Sequence, residues 1–277
     1  MSPLDSEILA RAVALIRDAD GLIVAAGAGM GADSGLPTFR GREGLWRAYP
    51  ALGRARLDFT EIANPAAFAH TPRLAWGFYG HRLNLYRDAT PHAGFGLLLR
   101  WAAALPHGAF VFTSNVDGHF QRAGFDDARV CECHGSIHHL QCADGCAEPI
   151  WAADDLAPIV DAAECRLTSP LPACRGCGAL ARPNILMFGD GSWDATRTDA
   201  QHRRLETWLR QVRRPVVIEI GAGLDVPTVR YFSERSRERL IRINPDAPEI
   251  PGGRGLGIRG TALAVLRALD EGLTRSG

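Results

Sequence analysis

Residues 6–17 carry Ile8, Leu9, Ala12, Val13 and Ile16 at helical spacing, then Gly21 breaks the period and Leu22-Ile23-Val24-Ala25-Ala26 runs apolar without interruption. The first pattern predicts a helix with one apolar face, and the second predicts a short buried strand. The same strand texture returns at residues 110–113, 216–220 and 240–243, each run β-branched or aromatic and each followed by turn residues. Apolar strands separated by helical segments predict an α/β fold in which a parallel sheet is covered on both faces.

Two stretches depart from this rhythm. Residues 41–106 keep a helical pattern rich in tryptophan and alanine, whereas cysteine, proline and glycine dominate residues 134–183. Both read as inserts forming a smaller module, which leaves residues 1–40, 107–133 and 184–277 for the sheet domain. Its closing helix is expected over residues 261–272, where Thr261 is a candidate N-cap and Leu263, Leu266 and Leu269 recur at helical spacing.

Composition narrows the chemistry. With 277 residues and 46% hydrophobic positions the chain can bury a large core, and its 31 basic residues balance 31 acidic ones. A formal charge of zero gives no general attraction for nucleic acid or an anionic membrane surface, so binding has to come from local sites. Every basic residue other than histidine is arginine, which excludes a Schiff-base lysine and a P-loop lysine. No uncharged apolar run reaches the roughly 18 residues that span a bilayer. Residues 1–7 lack the basic-then-apolar order of a signal peptide, so a cytoplasmic protein is expected.

The seven cysteines are then expected to be reduced thiols. Cys142 and Cys146 form one close pair, and Cys174 and Cys177 form another. Four thiolates in two pairs suit a closed tetrahedral zinc site that holds structure and leaves no position open for chemistry. Cys165, between the pairs, is an alternative ligand, and Cys131 and Cys133 are expected to fill the strand that leads to His134.

After the first strand comes Gly27-Ala28-Gly29-Met30-Gly31-Ala32-Asp33-Ser34-Gly35-Leu36-Pro37-Thr38-Phe39-Arg40-Gly41. Glycines let a backbone approach a pyrophosphate, although a glycine turn after a strand serves equally as a plain tight turn. Gly35 and Pro37 would end the helix that an ordinary dinucleotide fold continues, and Arg40 beyond them suggests a cover over an anionic ligand. Asn115 and Asp117 follow the strand at 110–113, at the carboxyl end where open α/β sheets bind ligands; in isolation they could equally form a turn. His134 offers an imidazole that accepts a proton near neutral pH, or else a structural histidine.

The stretch 27–41 resembles the first signature of the sirtuins, the NAD-consuming protein deacylases, and the likeness continues in order along the chain. Thr113-Ser114-Asn115-Val116-Asp117-Gly118 is similar to their second motif and His134-Gly135 to their third. Residues 182–190, with Met187, Phe188 and Gly189, are similar to their substrate strand, and Asn244-Pro245 to the adenosine end of their cofactor site. The resemblance implies a Rossmann-like parallel sheet with helices on both faces plus a smaller zinc-ribbon and helical module. It implies NAD consumed as a co-substrate and one structural zinc on Cys142, Cys146, Cys174 and Cys177. The partner would be an acyl-lysine protein or peptide, with no nucleic acid or membrane, and the chain would act as a monomer.

In the chemistry so implied, the acyl oxygen of a modified lysine attacks the nicotinamide ribose and nicotinamide leaves. His134 deprotonates a ribose hydroxyl that captures the acyl carbon, giving lysine and an O-acyl-ADP-ribose. Asn115 would order the ribose and a water, Asp117 would lie beside the carboxamide, Phe39 would shield the sugar carbon and Arg40 would neutralise phosphate. Gly27, Ala28, Gly29, Met30, Asp33, Thr38, Ser114, Gly221, Ala222, Gly223, Asn244 and Pro245 complete the implied cofactor contacts.

Two departures bear on this. Ser114 stands where the family usually has a glutamine that holds the ribose, and Gly221-Ala222-Gly223 stands where glycine-threonine-serine is common. Either could redirect the shared first step toward ADP-ribosyl transfer or NAD hydrolysis, against which His134 argues; a non-catalytic NAD or ADP-ribose sensor is a third reading. Tyr79 and Arg82, three apart on one helix face, are an anchoring aromatic and a solvated cation on the plain reading. They also resemble the pair with which the succinyl- and malonyl-removing sirtuins hold an acyl carboxylate, and Thr38 and residues 63–68 are similar to that branch too, so dicarboxylic acyl-lysines are the expected preference.

Overall fold

The computed structural model describes residues 5–38 and 41–275. The chain opens with α1 (Ser6–Arg17), whose first N–H groups are capped by the Asp5 carboxylate, and enters β1 (Gly21–Ala26). Leu22, Val24 and Ala26 point into one apolar cluster and Ile23 and Ala25 into another, which explains why this strand is apolar at every position. A short α2 (Gly29–Ala32) follows. Next come α3 (Gly41–Ala48), α4 (Pro50–Arg54), α5 (Phe59–Ile62), α6 (Pro65–His70), α7 (Pro72–Asp88) and α8 (Ala93–Ala103).

The sheet resumes with β2 (Ala109–Thr113), α9 (His119–Arg122) and β3 (Val130–Glu132), and the chain leaves it again through β4 (Gly135–Cys142), β5 (Trp151–Ala152), β6 (Val160–Asp161), β7 (Arg166–Leu167) and β8 (Ala181–Ile185). It closes with α10 (Thr196–Leu209), β9 (Pro215–Ile220), α11 (Thr228–Ser233), β10 (Leu240–Ile243), β11 (Leu256–Ile258) and α12 (Ala262–Arg275).

Six strands form one sheet in the order β11-β10-β9-β1-β2-β3, with every neighbouring pair parallel. The chain builds outward from β1 to β3 on one side and from β9 to β11 on the other. The direction of winding therefore reverses between β1 and β9, and the carboxyl ends of these strands open a crevice there. Ala12 of α1, Leu98 of α8 and Leu266 of α12 pack on one face, while Leu205 and Trp208 of α10 and Val229 of α11 pack on the other.

The smaller module holds an antiparallel sheet, β5-β4-β8, and the β6-β7 hairpin. Trp76 and Tyr79 of α7 share one core with Leu140 of β4, Leu167 of β7 and Ala181 of β8, so the two inserts pack as one body. Contact is close: a Cβ at Gly77 would lie 2.0 Å from the Cys165 carbonyl oxygen, so that face of α7 admits no side chain at this position. β8 pairs with β4 in the small sheet, so residues 184 and 185, read from the sequence as part of the large domain, belong with the small module. Its sequence, Ala-Arg-Pro-Asn-Ile, carries no apolar run to mark it, because Arg182 and Asn184 are buried through bonds to Asp190, Gln141 and the Asp194 carbonyl.

Candidate active site

The glycine turns after β1 and β9 meet at the point where the winding reverses. A Cβ at Gly27 would lie 2.7 Å from Ala222 Cα, and one at Gly29 would lie 2.6 Å from Gly221 Cα. The Gly29 N–H donates to the Gly221 carbonyl at 3.0 Å. These glycines thus let one turn lie against the other, a tighter demand than the approach of a ligand. α2 stops at Ala32, and Gly35, at φ +82°, turns the chain out of the helix.

Polar groups at the ends of β1 and β2 are fixed by short bonds. The Thr113 hydroxyl donates to the Ala26 carbonyl at 2.9 Å and accepts the Asn115 N–H at 3.0 Å. Asn115 Nδ2 donates to the Gly27 carbonyl at 3.0 Å, tying the amide to the glycine turn. Asp117 accepts the His119 N–H at 2.9 Å, and its carbonyl lies 2.9 Å from His138 Nε2. The first orients the carboxylate at the start of α9, and the second holds the backbone there.

His134 follows β3 after the single residue Cys133. The Cys133 N–H donates to the Thr113 carbonyl at 2.8 Å, and the His134 carbonyl accepts the Leu186 N–H at 3.0 Å. α10 grips Glu132 from behind: Arg197 Nη2 lies 2.6 Å from its carboxylate, Thr198 Oγ1 donates to its carbonyl and Gln201 Oε1 accepts its N–H. The His134 ring is half-enclosed, with Nε2 3.3 Å from Thr228 Oγ1. Burial disfavours imidazolium and holds its pKa below the ordinary 6.5, so the ring is neutral and able to accept a proton at neutral pH.

One cavity of about 440 Å3 gathers Gly27, Ala28, Thr38, Ser114, Asn115, Asp117, His134, Met187, Phe188 and Gly223, together with Tyr79 and Arg82. Tyr86, Asp225 and Val226 also line it. Several residues expected at the cofactor do not. Met30 is in the core, and Asp33 accepts the Leu263 N–H at 2.7 Å, which caps α12 and holds its carboxylate away from the cavity. Gly29, Gly221 and Ala222 do not line it and belong to the packed contact between the two turns. Asn244 Nδ2 and the Arg230 guanidinium both donate to the Ala222 carbonyl, so Asn244 props the loop that ends in Gly223, and the Pro245 carbonyl accepts from Arg259. Gly189 lies just outside, at φ +64°, in a turn closed by Asp190. Phe39 and Arg40 lie outside the described residues.

Tyr86 and Thr228 were not singled out in the sequence. Tyr86 falls on the face already marked by Tyr79 and Arg82, four residues after the arginine, so helical periodicity could have found it. Nothing in the sequence around Thr228 points to His134.

The Sγ atoms of Cys142, Cys146, Cys174 and Cys177 all lie within 4.8 Å of one another. A tetrahedron of thiolates about 2.3 Å from zinc sets its sulfurs just under about 4 Å apart, so this cluster fits one ion. Cys142 ends β4 and the other three lie in the connecting loops, so the ion would clamp the end of β4 to the start of β8. His134 sits beyond the opposite end of β4, next to Gly135. Cys165 is buried against α7 and is not one of the four. Cys131 and Cys133 are buried under the sheet, as expected of fillers.

A profile of the Sir2 family matches residues 27–226. The NAD-dependent protein deacylase of Methylococcus capsulatus is 31% identical over 270 residues, 95% of this chain and 96% of the relative. A mutant Sir2 homologue solved with ADP-ribose has a TM-score of 0.73 at 26% identity, covering 98% of this chain and 97% of the other. A Sir2 homologue solved with NAD has a TM-score of 0.70 at 28% identity, covering 99% and 96% respectively.

Proposed function

We propose that this chain, which belongs to the Sir2 family, is an NAD-dependent protein lysine deacylase that releases nicotinamide and an O-acyl-ADP-ribose. The observation that carries the reading is the shared cavity: Asn115, Asp117, His134 and the Gly27 turn line one space at the carboxyl ends of the parallel strands. The alignment to a deacylase over nearly the whole chain supports it.

NAD, when bound, supplies a ribose carbon that can lose nicotinamide. The residues of this chain orient it and move a proton. Asn115, held by the Gly27 carbonyl and the Thr113 hydroxyl, presents its amide to the ribose, and Asp117 faces the carboxamide. Neutral His134 takes a proton from a ribose hydroxyl at an imidazole nitrogen. Gly223 contributes backbone N–H to phosphate, in place of the hydroxyls that Ala222 and Gly223 lack. Met187 and Phe188 border the entrance, where a peptide carrying acyl-lysine would lie. The four-cysteine site holds one zinc ion and takes no part in the reaction.

A finer reading follows from one more observation. Arg82 is only 7% exposed yet lines the same cavity as His134, together with Tyr79. A buried guanidinium there suits the terminal carboxylate of a succinyl or malonyl group, so the preferred substrates are dicarboxylic acyl-lysines. The enzyme acts as a cytoplasmic monomer in this reading. Among the described residues no helix is long and apolar enough to cross a membrane.

His134→Ala tests the activity. Deacylation should fall by at least about a hundredfold, the ordinary contribution of a general base, while NAD still binds with nearly unchanged affinity. Full deacylation by the variant would overturn the assignment.

A further inference from the structure

Arg82 is held by a residue that the tyrosine-arginine pattern does not include. Its Nε and Nη2 both donate to the Tyr86 hydroxyl, at 3.0 and 2.8 Å. The guanidinium carbon also lies 5.2 Å from the centre of the Phe78 ring, 5.6 Å from that of Tyr79 and 5.3 Å from that of Tyr86. Tyr86 is 5% exposed and lines the cavity beside Arg82. Burial raises the Tyr86 pKa against the opposing pull of Arg82, so the group is a neutral phenol that accepts through its oxygen.

A guanidinium offers a planar carboxylate two bidentate edges, Nε with Nη2 on the side and Nη1 with Nη2 at the end. Here one phenol oxygen caps the side edge, so Tyr86 sets the direction in which the end of the fork points. Capping also restrains the four side-chain torsions of arginine. A flexible arginine would lose that freedom each time an acyl carboxylate bound; one already held loses much less.

We propose that Tyr86 is a positioning residue for acyl selectivity, fixing the Arg82 fork end-on toward the acyl carboxylate. The proposal rests on the dicarboxylic reading given above, and its test separates the two. The measurement is kcat and KM on succinylated and acetylated forms of one peptide, for wild type, Arg82→Met, Tyr86→Phe and the double variant. Phenylalanine keeps the ring in the core and removes only the hydroxyl.

The succinyl-to-acetyl ratio of kcat/KM should drop on the order of tenfold in Tyr86→Phe, chiefly through the succinyl KM, as expected for loss of a bond to a charged group. The double variant should be no less selective than Arg82→Met alone, because Tyr86 acts through Arg82. A wild-type ratio in Tyr86→Phe beside a collapsed ratio in Arg82→Met overturns the positioning role and leaves the carboxylate reading standing. Additive losses in the double variant overturn the positioning role as well. A succinyl rate untouched by Arg82→Met ends the carboxylate reading, and the role of Tyr86 with it.

Discussion

His134 leaves the large sheet where β3 hands the chain to β4, its ring half-enclosed and its Nε2 3.3 Å from the Thr228 hydroxyl. Enclosure costs imidazolium its hydration and nothing charged nearby restores it as the main influence, so the neutral form persists to a lower pH than in water. A base works only when unprotonated; activity is therefore present above the folded pKa and lost as pH falls through it. The acid limb of kcat/KM for deacylation should have its midpoint below the ordinary histidine value of 6.5, and a midpoint above 7 would contradict the enclosed ring. At this scale the sequence was a partial guide. Asn115, Asp117 and His134, which the motifs singled out, line the cavity, whereas the Asp33 carboxylate accepts the Leu263 N–H, a long-range contact that no local pattern reveals. Met30, similarly, is a core residue in a functional motif.

Among the elements, β1 and β9 were legible because both faces are covered, which favours apolar residues at consecutive positions; the one charge in them, Glu219 of β9, is paired with Arg242. β11 was not: Leu-Gly-Ile is three residues long at the sheet edge, too short to show a period. β8 carried no apolar pattern and was marked only by the resemblance of residues 182–190 to a substrate strand. Its buried Arg182 forms a bidentate pair with Asp190, at 2.8 and 2.9 Å, so a polar sequence lies in a buried strand. That strand and β4 are joined at one end by the four cysteines, and the zinc bound there should contribute folding energy to the small module. Chelation is expected to release one zinc per chain and to lower the melting temperature by about 10 °C, the size of a loss of several kcal/mol in a domain of this length. Zinc-free protein melting at the same temperature would remove the ion from the account of stability.

For the molecule as a whole, the winding order of the sheet opens a crevice at β1 and β9, and the small module brings Tyr79 and Arg82 to the same space. The parallel sheet and the two inserts could be read from the sequence because each has its own texture; the packing of both inserts into one core could not, since contacts such as Gly77 against Cys165 link residues far apart in the chain. Ser114 and Gly221-Ala222-Gly223, read from the sequence as departures from the sirtuin pattern, bear on what captures the ribose once nicotinamide has left. The central claim is that the cavity directs that sugar to the acyl group and away from water or a protein side chain. The most direct measurement incubates the enzyme with NAD labelled in its ADP-ribose part and an acyl-lysine peptide, then identifies every labelled product by mass. The account predicts O-acyl-ADP-ribose formed one for one with deacylated peptide and nicotinamide. Label recovered as free ADP-ribose, or attached to protein, with the peptide still acylated would contradict it.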